Sequence, residues 1–217
     1  MHLLAVKAVA AVCPLIFSSA FLPSRDLQQA SVSVPAAISQ FLPLPQELLL
    51  TSYSRGQSEL VSGRFLEAVE NFNIAAIAAE ATGSSPNVYS SRGIAEEKLY
   101  RWEEAIKDYE LAQKLIKQRF PFQEDATVLS NLANAESGRG DYELALRDFS
   151  RSMKLDKGFA APKIGKGLVL WQLDRRDEAK QIFNELVQKY PSYSDGLAAF
   201  AVMNYEDAGG YTINVSS

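Results

Sequence analysis

Histidine and cysteine, which carry much of enzyme chemistry, occur only once each among the 217 residues of this chain. His2 and Cys13 both lie at the extreme N-terminal end. If that end is removed from the mature chain, cysteine nucleophiles, Ser-His-Asp triads, disulfides and Cys/His metal sites are all lost together. We therefore expect no catalytic residue, no cofactor and no metal site, and a protein that is not an enzyme.

Carboxylates are the remaining candidates for chemistry, and glutamate recurs at Glu59, Glu96 and Glu136. Arg55 and Arg92 stand four residues before the first two, a spacing that places both partners on one face of a helix. We interpret these as exposed structural ion pairs, since a residue repeats when a fold repeats. The alternatives are a cation site or an accessory subunit of a carboxylate-based enzyme, which only the abundance of glutamate favours.

Two acidic pairs, Glu103-Glu104 and Asp177-Glu178, each precede an apolar periodic segment. Negative charge is stabilised at the positive end of a helix dipole, which lies at the N-terminus of the helix. We interpret both pairs as helix starts rather than as catalytic groups.

The composition excludes some classes of protein. Hydrophobic residues make up 47% of the chain and charged residues 22%, as in ordinary globular proteins. The net charge is −4, which argues against nucleic-acid binding because phosphates require a basic face. The longest uncharged apolar run, 8–17, is half the roughly twenty residues that span a membrane. We expect no transmembrane segment in the mature chain.

The N-terminal end has the features of a secretory signal peptide. Residues 1–7 contain one cation, residues 8–17 are apolar, and Ser18-Ser19-Ala20 offers small residues at a cleavage site. We predict a signal peptide over 1–20, cleaved after Ala20. The alternative is a buried helix at the start of a domain, which Pro14 disfavours because proline interrupts a helix.

The sequence around this cleavage site, Ser19-Ala20-Phe21-Leu22-Pro23, resembles the bipartite plastid presequences of diatoms and related algae. The resemblance implies that Phe21 is the feature read at import and that 21–48 is a transit-like or disordered linker. It implies a location in the plastid, with the stroma and the thylakoid lumen both open. The alternative is plain secretion.

Internal repetition organises the rest of the chain. Over 49–193 a small residue is followed twelve residues later by alanine, and that alanine is followed four residues later by an aromatic. We predict that the small residue lets two helices approach, and that the aromatic fills the gap against the next repeat. The core positions are Gly56, Ala68 and Phe72; Gly93, Ala105 and Tyr109; Ala133, Ala145 and Phe149; and Gly167, Ala179 and Phe183.

This pattern closely resembles the tetratricopeptide repeat, a 34-residue pair of antiparallel helices. The resemblance implies an all-α solenoid of about four repeats over 49–206, because one repeat cannot bury its apolar face alone. The repeats fall at about 49–82, 86–119, 126–159 and 160–193, followed by a capping helix at 194–206 and a flexible tail at 207–217. The second repeat, with Arg92-Gly93 and Arg101-Trp102-Glu103-Glu104-Ala105, resembles those of cyanobacterial and plastid proteins.

In this family the first helix of each repeat lines a concave groove that binds protein or peptide. By register the groove candidates are Tyr53, Gln57 and Leu60; Ser90, Ile94 and Glu97; Ser130 and Asn134; and Ile164, Leu168 and Trp171. The mixture suits a peptide with apolar anchors, and we expect Tyr53 and Trp171 to be those anchors. The alternative for Trp171 is a core position under the capping helix.

Together these features indicate a non-enzymatic interaction scaffold. We expect a plastid factor that helps to assemble or hold a photosynthetic protein complex through its groove, with peripheral association with thylakoids left open. A secreted or periplasmic adaptor is the alternative.

Overall fold

The computed structural model of this protein describes residues 44–83 and 85–189. The prediction of an all-α fold is confirmed for this part of the chain, which forms eight helices and no strand. The predicted signal peptide with Ala20, the import residue Phe21, the capping helix at 194–206 and the tail at 207–217 lie outside the described residues.

The helices form two compact units, divided between Pro121 and Phe122. Unit 1 holds the first two helix pairs, α1 (Pro45–Val61) with α2 (Phe65–Thr82) and α3 (Pro86–Lys98) with α4 (Trp102–Arg119). Unit 2 holds the other two, α5 (Ala126–Arg139) with α6 (Tyr142–Leu155) and α7 (Ala161–Gln172) with α8 (Arg176–Lys189). Within each unit the second helix of the first pair also packs on the first helix of the next pair.

The helix starts follow from local sequence. Proline occupies the first or second position of α1, α3 and α7, where its missing amide costs nothing. The Asp125 carboxylate caps α5 by accepting hydrogen bonds from the amides of Thr127, at 2.8 Å, and Val128, at 3.0 Å. The linker predicted over 21–48 is therefore too long, because Pro45 already starts α1 and places 45–48 in the helix.

The turn inside each helix pair contains one residue with a left-handed backbone. Gly63 and Gly140 take this conformation with φ of 76° and 96°. Tyr100 and Asp174 stand at the same repeat position, five residues before the aligned alanine, with φ of 58° and 59°. Side chains with a Cβ are strained there by about 1–2 kcal/mol, so two of the four turns carry a conformational cost that glycine would remove.

All twelve predicted core positions are buried. A Cβ built on Gly56 would lie 2.6 Å from the ring of Phe72, and one on Gly93 would lie 2.8 Å from the ring of Tyr109. Gly167 makes the same approach to Phe183, at 2.5 Å. Each of these glycines therefore makes room for the aromatic ring of its own repeat. The prediction was that the ring fills a gap against the next repeat, and in these three repeats it packs within its own repeat instead.

The third repeat departs from this arrangement because Ala133 replaces the glycine. Its aromatic, Phe149, is fully buried, and its ring lies against Gly165 at the start of the following pair. A Cβ at Gly165 would overlap that ring. The ring of Phe149 is therefore accommodated by a glycine in the next repeat, which is the arrangement predicted for all four repeats.

Candidate peptide-binding faces

The first helices of neighbouring pairs lie side by side within each unit, α1 against α3 and α5 against α7. They bring the predicted groove residues together on two faces, one per unit. The unit 1 face consists of Tyr53, Gln57, Leu60, Ser90, Ile94 and Glu97. The unit 2 face consists of Ser130, Asn134, Ile164, Leu168 and Trp171.

The polar groups at one end of the unit 1 face are bonded to each other. Gln57 Nε2 donates to the hydroxyl oxygens of Tyr53 and Ser91, at 2.8 Å each. The hydroxyls of Tyr53 and Ser91 are themselves 3.2 Å apart. This cluster joins α1 to α3, so the polar groups of Tyr53 and Gln57 hold two repeats together.

Tyr53 also packs inwards. Its ring centroid lies 5.8 Å from that of Phe72 in a tilted arrangement, and both Tyr53 and Leu60 lie against the buried cluster of Ala68, Phe72 and Ala95. Aromatic pairs at this distance stabilise a core. The ring and the hydroxyl of Tyr53 are therefore both engaged within unit 1, and its role as a binding anchor stays a prediction.

The other end of the unit 1 face holds a half-buried carboxylate. The Tyr109 hydroxyl donates to Glu97 Oε2 at 3.1 Å. Burial raises the pKa of Glu97, although this hydrogen bond opposes the shift. Glu97 therefore serves the packing of α3 on α4, and Ser90 and Ile94 remain as half-buried members of the face.

The unit 2 face is more apolar and more accessible. Leu168 is 44% exposed, and Ile164 and Trp171, four residues before it and three after it, are half-buried. This spacing places the three side chains in one strip along α7. On α5, Asn134 is exposed while Ser130 is buried, so Ser130 does not contribute to the accessible surface.

Trp171 has contacts on two sides. Ile164 and Trp171 pack partly against the buried cluster that contains Phe149 and Phe183. The Arg176 guanidinium lies over the indole ring, 4.4 Å from its centroid, in a cation–π contact. Trp171 is therefore part core and part surface.

The recurring glutamates have different partners from those expected. Glu59 pairs with Arg64, and Glu96 pairs with Arg101 at 3.2 Å, in each case with the arginine five residues later. Arg92 instead makes two hydrogen bonds to the Asp108 carboxylate, at 2.6 and 2.7 Å. The predicted pairing of Arg92 with Glu96 is wrong, because Arg92 reaches across to α4.

Glu136, the third of these glutamates, is 4% exposed, and its Oε2 has no hydrogen-bond partner within the described residues. Burial, together with the neighbouring Asp148 carboxylate, raises its pKa to about 7. Burial would also raise the pKa of Asp148, but hydrogen bonds from Arg147 and Arg151 outweigh it and hold that pKa below its ordinary value. These two adjacent carboxyl groups are therefore shifted in opposite directions.

The described residues hold no group of three His, Cys, Asp or Glu side chains that could bind a metal ion. None of the described helices is long and apolar enough to cross a bilayer. A hollow of about 410 Å³ lies at the start of α1 and is lined by Leu44, Gln46, Glu47, Leu50 and Thr51. It contains one carboxylate and none of the predicted site residues, so it does not coincide with either face.

Two family profiles, both described as tetratricopeptide repeat, match the chain at residues 84–158 and 130–194. Together they span 84–194, which is 111 of the 217 residues. Residues 84–194 therefore consist of tetratricopeptide repeats.

Solved structures of low sequence identity share the fold. The chain is similar to the MamA protein, with 16% identity and a TM-score of 0.59 over 76% of this chain and 85% of MamA. It is similar to YrrB, described as a tetratricopeptide-repeat protein with an unusual peptide-binding site, with 17% identity and a TM-score of 0.54 over 73% and 77%. No curated protein matches the chain significantly.

A third similar structure is the second tetratricopeptide-repeat domain of human RPAP3 in complex with an HSP70 peptide. The identity is 20% and the TM-score 0.50, over 58% of this chain and 97% of that domain. At these identities the likeness shows the fold alone.

Two features of the structure were not predicted from the sequence, although they are visible in the spacing of the residues. The spacing of five residues between Glu59 and Arg64 repeats between Glu96 and Arg101, and it marks the true ion pairs. Gly165, which accommodates the ring of Phe149, follows a repeat in which Ala133 stands in place of glycine. A comparison of equivalent positions in neighbouring repeats would find both features.

Proposed function

We propose that this protein is a non-enzymatic interaction scaffold of the plastid that binds a protein partner chiefly through the unit 2 face. The observation that carries the proposal is the strip of Ile164, Leu168 and Trp171 along α7. Leu168 is the most exposed of the three, at 44%, and it supplies most of the accessible apolar surface, because Trp171 packs partly on the core and has the Arg176 guanidinium over its ring. Apolar side chains spaced in this way on one helix suit an amphipathic helix or an extended peptide with apolar anchors.

The unit 1 face plays a different part in the proposal. Tyr53 and Gln57 are bonded to Ser91, and the Glu97 carboxylate accepts a hydrogen bond from Tyr109. Polar groups that already have partners gain little from a ligand, because a new hydrogen bond must replace an existing one. The polar groups of the unit 1 face would therefore add little binding free energy, and the proposal assigns most of the binding to unit 2.

The non-enzymatic part of the proposal rests on composition and on the fold neighbours. His2 and Cys13, the chain's single histidine and cysteine, both lie in the predicted signal peptide. YrrB and the RPAP3 domain, whose folds are similar, are described as having a peptide-binding site and as bound to a peptide. These descriptions support a binding role by analogy of fold.

The plastid part rests on sequence features alone. Its support is the junction Ser19-Ala20-Phe21-Leu22-Pro23 and the likeness of the second repeat to those of cyanobacterial and plastid proteins. The partner would then be a subunit of a photosynthetic complex or a factor that helps to assemble one.

Affinity capture with paired variants tests the binding face. The chain without the predicted signal peptide, tagged at its C-terminus, is incubated with solubilised thylakoid and soluble plastid extracts, and captured proteins are identified by mass spectrometry. We expect Leu168→Ala to reduce capture of a specific partner at least about tenfold, because central apolar anchors dominate interface energies.

Leu144→Ala is the matched control, since Leu144 is 39% exposed and lies on α6 of the same unit, outside the unit 2 face. It should leave capture unchanged. Equal capture by the Leu168→Ala and Leu144→Ala variants would contradict the proposed face.

A reporter fusion tests the plastid location separately. Residues 1–45 are fused to a fluorescent protein and expressed in a diatom, with Phe21→Ala as the variant and Leu22→Ala as the control. We expect the reporter in the plastid for the unchanged and Leu22→Ala sequences, and outside it for Phe21→Ala. Reporter in the medium with the unchanged sequence would favour the secreted adaptor instead.

A further inference from the structure

The turns of all four repeats share one backbone hydrogen bond. An amide donates to the carbonyl oxygen five residues earlier, which folds the residue after the left-handed turn position back over the end of the first helix. The four bonds run from Arg64 to Glu59 at 2.9 Å, from Arg101 to Glu96 at 3.0 Å, from Asp141 to Glu136 at 2.9 Å, and from Arg175 to Leu170 at 2.9 Å.

This shared geometry decides which side chains meet. In the first two repeats the residue folded back is an arginine, and it pairs with the glutamate beneath it. In the third repeat it is Asp141, whose carboxylate pairs with Arg139. Glu136 therefore occupies the repeat position at which Glu59 and Glu96 each pair with an arginine. In the third repeat that arginine is replaced by the acidic Asp141.

The surroundings of Glu136 do not replace the missing arginine. Its carboxyl oxygen Oε2 is fully buried and has no hydrogen-bond partner among the described residues. The negative charge of the buried Asp148 carboxylate, on α6, acts on Glu136, and hydrogen bonds from Arg147 and Arg151 to Asp148 keep that group ionised. A buried carboxylate beside a second negative charge is costly, so the neutral form of Glu136 is favoured.

The charges that act on Glu136 come from α5, from α6 and from the turn between them. They are Asp148 and Arg147 from α6, Arg139 from α5 itself and Asp141 from the turn. The two cations of α7, which also packs on α5, act elsewhere. Lys163 donates to the carbonyl oxygen of Lys157 at 3.2 Å, and Lys166 acts on Glu178.

We propose that Glu136 is a pH switch within unit 2, neutral when α5 is packed tightly on α6 and ionising as the pH rises, with loosening of that helix pair. Its pKa is raised from 4.5 to about 7 in the folded chain by burial and by the Asp148 carboxylate. The unfolded chain releases this proton near 4.5, so between 4.5 and 7 the folded state binds more protons than the unfolded state.

The sign of the effect follows from this difference. The stability that comes from holding the proton is fully present below the ordinary pKa, declines as the pH rises from 4.5, and is lost once the pH passes about 7. Unit 2 is therefore most stable in mildly acidic solution. In the second repeat the equivalent glutamate, Glu96, instead forms an ion pair with the Arg101 side chain.

Urea unfolding at several pH values tests the proposal in the chain without its signal peptide. The two tryptophans, Trp102 and Trp171, lie in different units, so Trp102→Phe leaves Trp171 fluorescence as a reporter of unit 2. In this background we expect the urea midpoint to fall by about 1 M between about pH 5 and about pH 8.

Two variants should abolish that fall and one should not. Glu136→Gln removes the titrating group, and Asp141→Arg restores the cation found in the second repeat while keeping the glutamate. Glu96→Gln, at the equivalent position in unit 1, should retain the fall. A fall of unchanged size in both Glu136→Gln and Asp141→Arg would overturn the proposal, and Asp141→Arg decides alone if Glu136→Gln does not fold.

A direct titration supplies an independent measurement. The side-chain carboxyl carbon of Glu136 is assigned by its absence from the NMR spectrum of Glu136→Gln, and its chemical shift is followed with pH. A midpoint near 7 is expected, and a midpoint near the ordinary value of 4.5 would overturn the proposal.

Discussion

The α3–α4 pair of unit 1 and the α5–α6 pair of unit 2 have the same backbone motif but bury different charges. In α3–α4 the buried Asp108 is held by Arg92, and Glu96 is held by Arg101. In α5–α6 the positions of those two arginines are taken by Leu132 and Asp141. One repeat geometry can therefore enclose either a satisfied ionic network or a carboxyl group that must stay neutral.

The two units also differ in what they leave accessible. The unit 1 face uses the hydroxyl of Tyr53 and the amide of Gln57 to join α1 to α3. The unit 2 face instead leaves the apolar side chain of Leu168 44% exposed. The difference fits the division of labour that we propose, in which unit 1 is braced by internal polar contacts and unit 2 offers the surface for a partner.

The largest effect on this comparison is expected from Arg92→Leu, which gives unit 1 the residue found in unit 2. It leaves the Asp108 carboxylate buried without its cation, and removal of one partner from a buried ion pair costs about 3–5 kcal/mol. Chemical unfolding followed by Trp102 fluorescence, in a Trp171→Phe background, measures the loss.

Two control variants show whether the loss comes from the broken ion pair. Arg55→Leu changes an exposed arginine of α1 and should alter stability by less than about 0.5 kcal/mol. Arg92→Leu with Asp108→Leu removes both charges and should recover much of the loss. A small effect of Arg92→Leu alone would show that the ion pair with Asp108 does not stabilise unit 1.

Exchange of the small residues between the second and third repeats should have an intermediate effect. Gly93→Ala places a methyl group against the buried ring of Tyr109 and should cost about 1–3 kcal/mol. Ala133→Gly creates no overlap and should cost about 1–2 kcal/mol, through helix propensity and the loss of a buried methyl group. Urea denaturation of both variants measures the losses, and a Gly93→Ala variant as stable as the unchanged chain would contradict the role assigned to Gly93.

The smallest effect is expected at the turns, and its sign is opposite. Tyr100→Gly should stabilise unit 1 by about 1 kcal/mol, because it removes the strain of a left-handed tyrosine that is 78% exposed. Gly140→Ala at the same position of the third repeat should destabilise unit 2 by a similar amount. Thermal unfolding of the two variants would contradict this interpretation if both midpoints moved in the same direction.

The fold was largely predictable, because the alignment of the repeats can be determined from the spacing of a few residue types along the chain. A small residue, an alanine and an aromatic at offsets of twelve and four residues mark the buried side of each helix pair, and Phe72, Tyr109, Phe149 and Phe183 are all fully buried. The ion pairs were not predictable by the rule for helices, since Arg64 and Arg101 lie beyond the helix end and are folded back by the turn.

The sequence predicted which repeat positions line the two faces, but it did not predict which of those side chains are accessible. Tyr53 stands at a groove position, yet its ring reaches Phe72 and its hydroxyl reaches Ser91 across two helices. Contacts of this kind depend on side-chain length and on the neighbouring repeat, which repeat spacing does not encode. The exposure of Leu168 likewise depends on how α7 packs within unit 2.

The central claim, that the unit 2 face binds the partner, is tested most directly by site-specific photo-crosslinking. A photoreactive amino acid replaces Leu168 in one variant and Leu144 in another, and each is irradiated in plastid extract. A discrete crosslinked partner formed from position 168 and not from position 144 is the predicted result. Equal crosslinking from both positions, or from position 144 alone, would contradict the claim.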